Sequence, residues 1–202
     1  MVLSALTHRA AKPIAHLLCA LPLAWLIGAA ATQGLGANPA EALIRSLGDW
    51  ALRGLLLTLA ITPLRVQFHQ PALLRFRRLL GVWTFAYASL HLLAYAWLDM
   101  GLGFSDIARD IAKRPFILVG MLSFALLLPL AATSFNRAVR WLGGKRWQAL
   151  HRLIYLIPFS VCLHFWWMRA GKNNFSDPFF YSALFALALG WRLWRRWQRQ
   201  AA

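Results

Sequence analysis

The sequence predicts an all-α membrane protein, a six-helix transmembrane bundle with both termini cytoplasmic. Three observations carry that reading. Of 202 residues, 60% are hydrophobic and 14% charged, against about 45–50% apolar and about 25% charged in soluble domains. Mean hydropathy is +0.53. The apolar residues gather in six continuous runs, roughly 14–31, 49–66, 79–98, 116–133, 147–168 and 179–197. Each approaches the ~20 residues that cross a hydrocarbon core about 30 Å thick. The runs do not alternate, which excludes an outer-membrane barrel. No length remains for a second domain, so residues 1–202 read as a single integral-membrane domain without a Rossmann GxGxxG or a P-loop.

The first run follows Arg9 and Lys12 and ends in Ala29-Ala30-Ala31, features shared with a secretory signal. Its apolar stretch of about 18 residues is long for a signal, which favours a retained first helix. The second run opens with Asp49 and Arg53 in the favourable acid-before-base i,i+4 order. Pro22, Pro129 and Pro158 fall inside the first, fourth and fifth runs, where neighbouring helices can satisfy the carbonyls they free. Trp50, Trp97, Trp147, Trp166, Trp167, Trp194 and Trp197 lie near run ends, as interfacial aromatic belts do.

Charge sets the direction. With the N-terminus inside, the inner segments hold 14 Lys and Arg, among them Arg65, Arg75, Arg77, Arg78 and Arg192. The outer loops hold six: Arg45, Arg109, Lys113, Arg114, Arg169 and Lys172. Arg53 and Arg152 lie within runs. Lys/Arg bias is the established determinant of orientation, so the sixth helix also ends inside. The net charge of +16 therefore reports membrane orientation; nucleic acid would require a basic face on a soluble fold. All six acids, Glu41, Asp49, Asp99, Asp106, Asp110 and Asp177, fall in or beside the outer loops. Glu41, Asp99, Asp106, Asp110 and Asp177 supply the only acidic surface on which an outer partner could dock.

Three histidines carry the chemistry. His8 and His69 lie in inner segments and His16 just inside the first run, whereas His91 is deep in the third run and His151 and His164 share the fifth. Ionisable residues within membranes default to function. Proton relays and ion pathways usually add carboxylates, and no run holds one at depth. Neutral imidazole binding haem iron is the leading reading, since imidazole is a standard axial ligand and the porphyrin is apolar. On a continuous helix His151 and His164 are about 20 Å apart along the axis and about 140° apart around it. Depth puts His91 nearer His164 than His151, so an outer haem pairs His91 with His164. His151 then faces an inner site with Arg77 at matching depth on the third helix, and arginine is a poor iron ligand. Arg53, Arg77, Arg78 and Arg152 are positioned for propionates, ion pairs or headgroups. Cys19 and Cys162, alone in apolar runs without a CxxC, read as small hydrophobes. The competing reading is a small transporter or channel whose histidines bind a metal or substrate, and an absorbance spectrum separates the two.

The stretches GDWALRGLLLTLAITPLR (48–65), RRLLGVWTFAYASLHLLAYAWLD (77–99), KRPFILVGMLSFALLLPLAATS (113–134) and GKRWQALHRLIYLIPFSVCLHFWW (144–167) resemble the MsrQ (formerly YedZ) family of ferric-reductase-like transmembrane proteins. That resemblance implies a haem-binding inner-membrane subunit of a bacterial methionine sulfoxide reductase system. It implies b-type haem, one or two, on His91, His151 and His164, with FMN as a further cofactor. It implies a heterodimer with a periplasmic molybdopterin enzyme, MsrP, which holds the catalytic site and repairs oxidised periplasmic proteins. Related ferric reductases and NADPH oxidases carry two histidines on each of the third and fifth helices; this chain has one on the third. It lacks their flavin and nicotinamide domain, so electrons come from the quinone pool or a separate cytoplasmic flavin reductase. Outward electron flow runs with a potential negative inside, by about 2.3 kcal/mol per 100 mV.

Overall fold

The computed structural model describes residues 7–171 and 173–201; Lys172, counted above among the outer charges, lies outside them. Every regular element among these residues is helical. The chain divides into two compact units, Met1–Phe104 and Ser105–Ala202.

In the first unit, α1 (Ala11–Ala31) packs on the close pair of α2 (Pro39–Gln67) and α3 (Leu74–Ala94). α2 begins ten residues before its apolar run because the polar sequence ahead of it is a helix start. Asn38 accepts the Glu41 backbone N–H at 3.2 Å and donates Nδ2–H to the Glu41 carboxylate at 3.1 Å. Pro39 occupies the first turn, where its missing N–H leaves no carbonyl unpaired. A short 3-10 turn, Pro71–Leu73, leads into α3, and α3 widens into a π-helical segment over Tyr95–Asp99.

One core cluster of this unit is Leu26, Leu47, Tyr87 and Ala94, flanked by Leu23, Trp50, Trp83 and Leu90. Polar groups also tie α1 to α3. The Tyr87 hydroxyl donates to the Cys19 carbonyl at 2.7 Å, and Trp83 Nε1–H donates to Nδ1 of His16 at 3.0 Å. Leu17, Leu18, Leu21, Trp25 and Ile27 of α1 are exposed, as a lipid-facing surface is. The buried hydroxyls of Thr58 and Thr84 each donate to the carbonyl one turn earlier, of Gly54 and Leu80, so neither is left unsatisfied in the apolar interior.

In the second unit, α4 (Phe104–Lys113), which starts at the junction, is a connecting helix that hydropathy alone did not predict. It is amphipathic, with Ile107 and Ile111 on one face and Asp106, Arg109, Asp110 and Lys113 on others. α5 (Pro115–Ala132) follows, then short α6 (Asn136–Leu142) and α7 (Gly144–His151). A 3-10 segment (Arg152–Tyr155) connects α7 to α8 (Ile157–Ala170), which packs on α5 and on α9 (Ser176–Ala201). The fifth apolar run is therefore three elements and not one helix. Pro158 stands at the start of α8, where no helical carbonyl needs its absent N–H. The turn before it tightens to the i→i+3 pattern.

Among the described residues, five spans are long and apolar enough to cross a membrane: Ala11–Ala31, Pro39–Gln67, Pro71–Asp99, Pro115–Ala132 and Gly144–Ala170. α9 is also long, but Arg192, Arg195 and Arg196 cut its apolar stretch short.

The α2–α3 pair includes a close approach at Gly54. A Cβ at Gly54 would lie 2.7 Å from Oγ1 of Thr84, whose own residue is buried. Gly54→Ala is expected to destabilise the solubilised protein by about 1–3 kcal/mol, the range for overpacking. Gly190→Ala, where a Cβ meets nothing within 4 Å, serves as control, and the comparison is of thermal unfolding midpoints in one detergent.

Candidate functional site

His91 and His164 are held in the same way, each within its own unit. His91 stands in the last turn of α3, its ring against α2, with Nδ1 2.8 Å from the carbonyl oxygen of Ile44. His164 stands mid-way along α8, its ring against α5, with Nδ1 2.6 Å from the carbonyl oxygen of Phe116. A carbonyl only accepts. Both Nδ1 atoms therefore carry the proton, and in the neutral ring Nε2 keeps the lone pair. That is the tautomer a metal takes, and the bond from the other nitrogen orients the ring and raises ligand basicity. Both imidazoles are half-buried, screened from water yet not enclosed by protein. The chemistry of each donor, an imidazole held by its Nδ1–H with Nε2 unprotonated, fits haem iron.

His151 is held differently. Its ring stacks on Trp147, with centroids 3.9 Å apart, and Nε2 lies 3.0 Å from the Thr133 hydroxyl. Thr133 gives its single proton to the Pro129 carbonyl at 2.7 Å, so it accepts from His151 and the proton sits on Nε2. Trp147 Nε1–H closes the cluster by donating to the Thr133 carbonyl at 2.9 Å. In this state His151 offers Nδ1, not Nε2, as its lone-pair nitrogen. The break after His151 also alters the spacing expected for a continuous helix. Four residues at the 3-10 winding of 120° reduce the ideal angular separation of His151 and His164 from about 140° to about 60°.

The remaining expected residues are dispersed. His16 accepts from Trp83, and Arg77 is half-buried in the first turn of α3. The Arg53 guanidinium lies 4.7 Å over the Trp50 ring, a contact the i,i+4 pattern with Asp49 did not anticipate. Cys19 and Cys162 are free thiols. Among the described residues no group of three His, Cys, Asp or Glu gathers as a bare-ion site would require.

Four of the six acids form ion pairs. Glu41 pairs with Arg45 at 2.6 Å, Asp106 with Arg109 at 2.8 Å and Asp177 with Arg169 at 3.1 Å. Asp110 forms a two-pronged pair with Arg114. Sequence reasoning placed the histidines but missed what holds them: the carbonyls of Ile44 and Phe116, the Thr133–Trp147 cluster, and the glycines Gly48 and Gly120 against which two of the rings lie. A helical glycine is the one sequence signal at each such close approach, Gly120 inside the fourth run and Gly48 one residue ahead of the second.

Residues 47–162 match the family described as ferric reductase like transmembrane component. Over 194 residues, 96% of this chain and 89% of the relative, the sequence is 60% identical to a protein of Polaromonas naphthalenivorans (strain CJ2) named protein-methionine-sulfoxide reductase heme-binding subunit MsrQ. Proteins of the same name from Bordetella pertussis (strain Tohama I) and Ralstonia nicotianae are 49% and 47% identical. They are matched over 95% and 96% of this chain, and over 92% and 90% of their own lengths. No solved structure matches. The transmembrane family and the five apolar spans together make this a multi-pass membrane protein.

The tautomers are directly measurable. In the haem-free protein, nitrogen-15 spectra of labelled histidine are expected to show protonated Nδ1 for His91 and His164 and protonated Nε2 for His151. Thr133→Val should shift only the His151 signals.

Proposed function

The chain belongs to the MsrQ family of haem-binding subunits within the ferric-reductase-like transmembrane proteins, and from that premise we propose that it is the membrane electron-transfer subunit of a methionine sulfoxide reductase system. It lies in the bacterial inner membrane as six helices in one domain, with both termini cytoplasmic. It accepts electrons from the quinone pool or a cytoplasmic flavin reductase. It delivers them to a periplasmic molybdopterin partner, MsrP, which forms a heterodimer with it and repairs oxidised methionine. The single observation that carries the reading is the matched tethering of His91 and His164, which gives each ring the tautomer of an iron ligand.

Bound haem supplies a one-electron couple whose potential is set by ligation, hydrogen bonding and burial. The rest falls to the protein. His91 and His164 present Nε2, and the Ile44 and Phe116 carbonyls hold the two rings in place. The depth argument from the sequence assigns both to one iron. His151 serves an inner position, where its cluster with Thr133 and Trp147 orients the ring. Arg77 is assigned to a propionate there. With no CxxCH among its residues, the chain holds its haem non-covalently, as b-type. FMN is a further cofactor on the strength of the family resemblance alone.

Reduced-minus-oxidised absorbance spectra test this reading. The wild-type protein should show a Soret band that shifts on reduction, and a transporter or channel would show none. His91→Ala and His164→Ala should each remove the same haem signal while the protein still inserts. His151→Ala should remove a separate portion if two haems are present; loss of all haem in His151→Ala with none lost in His164→Ala would instead pair His91 with His151. For topology, a reporter fused after residue 202 should be active only if it works in the cytoplasm, and one in the 101–112 segment only if it works outside. The purified chain alone should not turn over methionine sulfoxide, and should accelerate the partner when reduced.

A further inference from the structure

The two units contain the same arrangement twice. In each, a histidine donates Nδ1–H to a backbone carbonyl far upstream, 47 residues before His91 and 48 before His164. In each, the residue one helical turn after that carbonyl is glycine: Gly48 follows Ile44 and Gly120 follows Phe116. In each, the glycine faces the imidazole. A Cβ at Gly48 would lie 3.1 Å from both Nδ1 and Cε1 of His91. At Gly120 it would lie 2.8 Å from Nδ1 and 2.9 Å from Cε1 of His164.

We propose that Gly48 and Gly120 are positioning residues for the iron ligands, a role that rests on the reading of His91 and His164 as ligands. The missing side chain lets the imidazole lie against the helix backbone. Only at that depth does Nδ1 reach a carbonyl whose second lone pair is available to it. The glycine thereby fixes the tautomer, the ring plane and the basicity of Nε2.

Other glycines show that this is not a general property of the helices. Gly28 and Gly190 meet nothing within 4 Å, Gly81 meets only a Thr58 methyl at 3.9 Å, and Gly54 meets the Thr84 hydroxyl. Among the described glycines, only Gly48 and Gly120 meet imidazoles. His151, bonded through Nε2 to Thr133, has no glycine partner of this kind. Glycine in a helix interior disfavours the helix by about 1 kcal/mol relative to alanine, so its presence at both positions needs a reason, and the adjacent ring supplies one.

The two distances predict graded effects. At 3.1 Å the His91 ring must yield by a few tenths of an ångström, whereas at 2.8 Å the His164 ring must move away. Displacement lengthens the Nδ1–H···O bond, withdraws electron density from Nε2 and raises the iron midpoint potential.

The experiment compares full-length Gly48→Ala, Gly120→Ala and the control Gly81→Ala. It measures haem affinity by titration of the haem-free protein, electron paramagnetic resonance of the ferric state, and midpoint potentials. Gly120→Ala is expected to weaken haem binding about tenfold or more, as loss of a ligand's supporting contact does. Gly48→Ala is expected to retain haem with altered g-values and a raised midpoint, and Gly81→Ala to match wild type. Histidine nitrogen-15 spectra of the haem-free variants test the tether independently of haem: the His164 Nδ1–H signature should be lost in Gly120→Ala, and the His91 signature weakened in Gly48→Ala. If wild type binds no haem while these signatures still respond, the ligand reading fails and the tether stands. If Gly48→Ala and Gly120→Ala match Gly81→Ala in every measurement, the positioning role is overturned.

Discussion

An imidazole placed among apolar helices must find an acceptor for its proton, and in this protein that requirement governs the rest. Water is absent at depth, and the helix carbonyls are largely occupied by the helix itself. Two solutions are used. His91 and His164 each donate to a different carbonyl on a neighbouring helix of their own unit, which demands that the two helices approach closely and that no side chain stand between them. His151 recruits a threonine hydroxyl, which demands that the threonine's own proton be directed elsewhere, here to Pro129. The choice of acceptor fixes which nitrogen keeps its lone pair. Polar satisfaction, a folding constraint, is therefore also what selects the chemistry.

The irregularities of the helices follow the same residues. α3 passes into a π segment directly after the turn holding His91, and the Tyr95 N–H faces the carbonyls of His91 and Leu92. α7 ends at His151 and the chain tightens to 3-10. Such departures from α geometry concentrate at functional sites because they re-aim side chains without breaking the backbone bonding that the bilayer requires. Pro158 stands in the first turn of α8, where its lost N–H costs no intrahelical bond.

Much of this was legible in the sequence. The apolar runs located the helices, because burial in lipid demands length and little else. The depth of His91, His151 and His164 singled them out, because an ionisable group in hydrocarbon needs a reason. The start of α2 lay ten residues ahead of its hydropathy signal and was written in capping chemistry, Asn38-Pro39 with Glu41, which hydropathy does not read. The division of the fifth run was foreshadowed only by Pro158. The tethers were not legible at all: they join residues 47 and 48 positions apart through backbone atoms, and a backbone carbonyl has no letter in a sequence. Gly48 and Gly120 were the visible trace of them.

The charges divide by pairing in a way that counting alone does not show. Arg45, Arg109, Arg114 and Arg169 each have a carboxylate partner, and three of the four pairs are local steps of three or four residues along a helix. Ring contacts cross that division, since Arg114 also lies over Phe116 and Arg169 over Phe165. Arg75 lies over Phe76, Arg192 over Tyr155 and Arg195 over Trp191, arrangements in which the cation keeps its charge while its stem covers apolar surface. Each local pair cancels most of the field its cation would project over distance, so the paired arginines weigh less in the molecule's electrostatics than a bare count of Lys and Arg implies.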